Sequence, residues 1–76
     1  PLTSRELFIK TQGISRASLH VTIENLIGNT RYQSIITANE KPFVNLPTDL
    51  ATGVYIVTIM QGERKYKYKL IYKPKN

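Results

Sequence analysis

A chain of 76 residues has room for one small domain, and folding at this size hides only about 60% of the surface that the unfolded chain exposes. It has no cysteine, which excludes disulfide staples and thiolate metal sites. No apolar run approaches the roughly 20 residues of a membrane-spanning helix, and no stretch of these residues reads as a signal peptide.

The net charge of +6 is unevenly placed: six of the eleven basic residues (Arg64, Lys65, Lys67, Lys69, Lys73, Lys75) fall in the last thirteen positions. That suits an anionic partner. Lysines on the solvent side of a terminal strand also blunt edge-to-edge pairing, and this is the simpler reading. The start at Pro1, without an initiator methionine, reads as residues 1–76 being one domain taken from a longer protein.

Apolar residues recur with a period of two, the period of strands. Glu6 to Lys10, "ELFIK", offers Leu7 and Ile9 to one face. Ser18 to Glu24, "SLHVTIE", alternates most clearly, with Leu19, Val21 and Ile23 on one side and His20, Thr22 and Glu24 on the other. Gly28-Asn29 follows, two residues that tolerate positive φ in a reversal, and "RYQSIIT" is the return strand. "PFVNL" is short and bracketed by Pro42 and Pro47, which places it at an edge or a corner.

"GVYIVTIM" is apolar on both faces and so reads as a central strand. "QGER" is a tight hairpin connection in which Gly62 takes the positive φ. The closing "KYKYKLIYK" sets Tyr66, Tyr68, Leu70 and Tyr72 on the core face and lysines on the other. Short strands at turn-separated intervals predict an all-β, immunoglobulin-like antiparallel β-sandwich of six or seven strands. Its expected core is Leu19, Val21, Ile23, Leu50, Tyr55, Val57, Ile59 and Leu70. In such folds a tyrosine near the start of a central strand hydrogen-bonds to the corner just upstream. Tyr55 fits that role, with Val57 in the core two residues on, Leu50 tucked under the corner and Gly53 allowing a tight turn.

Candidate chemistry is sparse. His20 lies on an outward face with no second imidazole or thiol for a metal. Glu6, Glu24, Glu40, Asp49 and Glu63 are scattered singly, so they make no acid/base pair, and Asp49 reads as a cap on the turn before Leu50. The serines lack a base, and Gly13, Gly28, Gly53 and Gly62 form no phosphate-cradling loop. The residues indicate neither an enzyme nor a cofactor. Lysine–tyrosine interleaving in "RKYKYKLIYK" superficially suits single-stranded nucleic acid. On a strand, however, rings and charges point to opposite faces, so nucleic acid is not an expected partner.

Four segments in order resemble the C-terminal sorting domain of the type IX (Por) secretion system, found at the ends of gingipain-like exported proteins. "PLTSRELFI" resembles the end of the family's proline-then-strand opening. "VTIENLIGN" resembles its strand-turn segment, carried by Leu26 and Gly28. "LATGVYIVTI" resembles the leucine-x-x-glycine-x-tyrosine motif, carried by Leu50, Gly53 and Tyr55. "YKLIYK" resembles the closing lysine-aliphatic strand, carried by Lys69, Leu70, Ile71 and Lys73. Tyr72 stands where the family usually has an aliphatic residue, and Pro74-Lys75-Asn76 runs past the usual end.

The resemblance implies a non-catalytic address label. It implies passage through the periplasm and reading by the outer-membrane translocon and a shuttle protein, with Lys69, Leu70, Ile71 and Lys73 as the recognised end. It further implies removal by a surface sortase at the outer membrane or cell surface, with the cargo joined to anionic lipopolysaccharide. The alternatives are an adhesive or spacer module with the same sandwich, or a retained domain of the secretion or attachment machinery that touches lipopolysaccharide itself.

Overall fold

The computed structural model describes residues 2–9, 18–37 and 43–74. They form six strands: β1 (Glu6–Phe8), β2 (Ser18–Asn25), β3 (Thr30–Thr37), β4 (Phe43–Asn45), β5 (Gly53–Gln61) and β6 (Arg64–Tyr72). Four make one antiparallel sheet in the order β3-β2-β5-β6, and β1 pairs with β4 in a second, two-stranded sheet. The described residues are all-β, as the period of two predicts. The first strand is shorter than "ELFIK", and Lys10, Gly13, Glu40 and Pro42 lie outside the described residues.

Alternation in β2 is carried into three dimensions as read: Leu19, Val21 and Ile23 are fully buried while His20 is exposed. Strand β5 is central, flanked by β2 and β6, and its inner residues Tyr55, Val57 and Ile59 are buried. The small sheet lays Val44, Leu46 and Ile9 across this inner face, giving one core with Leu19, Val21, Ile23, Leu50, Tyr55, Val57, Ile59, Leu70 and Tyr72. Burying each such aliphatic side chain contributes about 1.5–3 kcal/mol, so the core holds the domain together. Strands β1 and β4 continue past their formal ends: the Leu46 N–H donates to the Arg5 carbonyl at 2.7 Å, and Arg5 Nε donates to the Leu46 carbonyl at 3.1 Å.

The turns follow local chemistry. Gly62-Glu63 joins β5 to β6 with Gln61 opposite Arg64, and Gly62 has φ +60 while Glu63 does not have positive φ. Positive φ at the first loop position alone is the pattern of a type II′ hairpin turn. At the β2–β3 reversal Gly28 has φ +91, whereas Asn29 does not have positive φ. The side chain that organises this loop is Asn25. Its Oδ1 accepts from the N–H of Ile27 at 3.2 Å and of Asn29 at 2.9 Å, in the manner of an Asx turn. Arg31 is an extra residue in β3, since Ile23 pairs with Tyr32 and Glu24 with Thr30.

Three local expectations are corrected. Tyr66 and Tyr68 do point to the inner face, but they remain 37% and 56% exposed. Leu70 and Tyr72, further along the same strand, are buried. Gly53 lacks positive φ; it is the first residue of β5, and a Cβ there would meet the Tyr55 ring at an ordinary 3.8 Å. The turn before Leu50 is closed by the Leu50 N–H donating to the Pro47 carbonyl at 3.2 Å, a backbone bond rather than a cap from exposed Asp49.

Candidate recognition surface

The four motif-bearing segments are far apart in the chain and converge at one end of the large sheet. Asn25, just before the Leu26–Gly28 turn, pairs with Tyr55 on β5, and Tyr55 pairs on its other side with Leu70 of β6. Gly53 pairs with Tyr72. From the first segment, Leu2 joins β6 in a parallel bridge opposite Tyr72, donating to the Ile71 carbonyl at 2.8 Å and accepting from the Lys73 N–H at 2.9 Å. The last residues of β6 are thus held from both sides by backbone hydrogen bonds.

The hydrogen bond expected of Tyr55 at the corner is present. Tyr55 is 6% exposed, and its hydroxyl donates to the Ala51 carbonyl at 2.5 Å. Leu50 and Val57 are buried beside it. Leu26 differs from the other motif positions. It sits with Ile27 at the tip of the β2–β3 loop, where the two are 66% and 82% exposed. The loop's hydrogen bonds fold these two residues outward, away from the core.

Alternation sorts the closing segment into two roles. Leu70 and Tyr72 are buried, while Lys69, Ile71 and Lys73 are exposed. The outer row of β6 therefore reads Lys65, Lys67, Lys69, Ile71, and it lies beside Met60, Thr58, Ile56 and Val54 of β5. None of these outer-face residues carries a carboxylate, so the basic row faces apolar and hydroxyl neighbours. Beside Lys67 in the ladder, Thr58 is buried and its Oγ1 has no hydrogen-bond partner among the described residues.

Among the described residues no group of three His, Asp or Glu is placed to hold a metal ion. His20 lies 3.3 Å from Gln33 Oε1 on the exposed face. Among the described residues no helix is long and apolar enough to cross a membrane.

Sequence reasoning identified the outward lysines but missed the Leu2 clamp, because a single parallel bridge between chain ends leaves no periodic trace. It also missed Asn25, for which the signal was present: an asparagine opening a turn whose fourth residue is glycine.

No curated protein and no solved structure matches the chain. Residues 3–73 match the family described as the secretion system C-terminal sorting domain. That span takes in the turn, the corner and the closing strand that the fold brings together. The chain belongs to the C-terminal sorting domains of type IX secretion, signals that direct export toward the outer membrane or cell surface.

Proposed function

We propose that the outer-membrane translocon and its shuttle protein read the end of β6 through Lys69, Ile71 and Lys73, in a domain that does no chemistry of its own. The supporting observation is the combination of exposure and fixation. These three side chains are exposed, while Leu2 bonds the backbone of Ile71 and Lys73 and β5 bonds that of the intervening Leu70 and Tyr72. A label read by a partner benefits from such rigidity, because less ordering entropy is lost on binding. Leu70 acts from inside, anchoring the row in the core. Leu50, Gly53, Tyr55 and Val57 build the corner on which the strand rests, and Leu26 and Gly28 form the neighbouring turn.

In this reading the parent protein crosses the periplasm, and a surface sortase removes the label and joins the cargo to anionic lipopolysaccharide. The test fuses the chain to a neutral carrier in a bacterium with type IX machinery. Lys69→Glu with Lys73→Glu should leave the fold intact, since exposed substitutions away from special contacts change stability by less than about 0.5 kcal/mol. Lys69 pairs across the ladder with Ile56, so no ion pair with β5 is lost. Surface delivery of the carrier should fall in the double variant. Undiminished delivery would show that these charges are not read.

A further inference from the structure

Strand β6 is bonded to β5 along its whole length, from Arg64 to Tyr72, but its other side is only partly occupied. There Leu2 takes the Ile71 carbonyl and the Lys73 N–H. Backbone groups of alternate residues in a strand point the same way. The N–H and C=O groups of Lys65, Lys67 and Lys69 therefore point to this same side. Among the described residues nothing pairs with them.

Alongside runs a groove of about 380 Å³, lined mostly by apolar side chains, residues 7–9 on one side and Val57, Ile59, Tyr68 and Leu70 on the other, with Lys69 also lining it. Tyr66 and Tyr68, on the same face of β6, are 37% and 56% exposed.

We propose that this edge and groove accept an extended segment of a partner polypeptide as an added strand beside β6, with acidic residues alternating with apolar ones. Residues of such a strand lying opposite Lys65, Lys67 and Lys69 present their side chains to the outer face. Three lysines stand there in a row, with no carboxylate on β5 or β6 to neutralise them, and acidic residues complete cross-strand charge pairs. Residues opposite Tyr66, Tyr68 and Leu70 point toward the groove, whose lining calls for apolar side chains. Backbone pairing supplies the affinity and the alternating pattern supplies the choice of partner. A second copy of β6 is a poor occupant, because it would set lysine against lysine. That the partner belongs to the export machinery rests on the sorting reading; the binding itself does not.

The isotope-labelled chain, titrated with a short peptide alternating glutamate and valine, tests this directly. Exchange of the Lys65, Lys67 and Lys69 amides should slow by about tenfold or more at saturation, while the Tyr66 and Tyr68 amides, already turned toward β5, change little. N-methylation of the peptide backbone should abolish binding. Lys65→Glu with Lys67→Glu should weaken it by about tenfold, two favourable cross-strand pairs having become repulsive. Lys67→Pro should block it too, and proline is tolerated there because that N–H faces away from the ladder.

Equal binding of the N-methylated peptide, or of a lysine–valine peptide, would overturn the proposal, as would no binding at all. A chain that dimerises with its Lys67 amide already protected would assign the edge to a second copy instead. None of these results alters the export of the Lys69→Glu, Lys73→Glu carrier, so the two readings fail separately.

Discussion

Tyr55→Phe removes one oxygen atom from the core and leaves the shape of the side chain otherwise intact. The hydroxyl donates to the Ala51 carbonyl at 2.5 Å, four residues upstream, and the ring is 6% exposed. A hydrogen bond of this kind contributes about 0.5–1.5 kcal/mol net, and a buried orphaned partner would raise the cost to about 1–3 kcal/mol. Ala51 is an exposed residue, so water can take the place of the lost donor at its carbonyl and the smaller range applies.

A loss of about 1 kcal/mol lowers the melting temperature of a 60–100-residue domain by about 4–8 °C. In urea it shifts the midpoint while leaving the slope unchanged, because the surface exposed on unfolding is the same. Leu50→Ala, which opens a cavity under the same corner, is the internal scale at about 2–5 kcal/mol. Superimposable urea curves for Tyr55→Phe and the parent, in an assay that resolves Leu50→Ala, would refute the view that this hydroxyl holds the corner. A slope change would point instead to an altered denatured state.

Thr58→Val should stabilise the domain by about 1 kcal/mol in the same urea assay, since the buried Oγ1 has no partner among the described residues and its desolvation is uncompensated; a lower midpoint would mean that the hydroxyl is satisfied. Gly53→Ala should be neutral or stabilising by up to about 1 kcal/mol, because φ there is not positive and the new Cβ makes ordinary contact with the Tyr55 ring. Gly62→Ala, by contrast, should cost about 1–2 kcal/mol at φ +60, although nothing crowds the site; thermal melts of the two variants give the comparison.

Much of this domain was legible locally, for physical reasons that can be named. Strand side chains alternate strictly, so Leu19, Val21 and Ile23 share a face whatever the rest of the chain does. Lys69 and Lys73 could be placed opposite Leu70 and Tyr72 on the same ground. The Gly62 turn and the Tyr55 corner depend on contacts within four residues, close enough for residue types to report them. Gly53 shows the limit even at short range: a glycine beside a corner suggested a tight turn, but its backbone is strand-like and a Cβ there would meet the Tyr55 ring only at ordinary contact distance.

Alternation decides which residues share a face, but it carries no information about what covers that face. Tyr66, Tyr68, Leu70 and Tyr72 are equivalent in the sequence pattern. In the fold Leu70 and Tyr72 are buried in the common core, Tyr72 beside Leu2, whereas Tyr66 and Tyr68 stay partly exposed. The same holds for the edge of β6. Leu2 and Tyr72 come from opposite ends of the chain, and their bridge closes the edge at Ile71 and Lys73 while leaving it open at Lys65, Lys67 and Lys69. Such pairings are settled by the packing of two sheets around one core, a non-local balance of buried area and backbone hydrogen bonds that no single segment encodes.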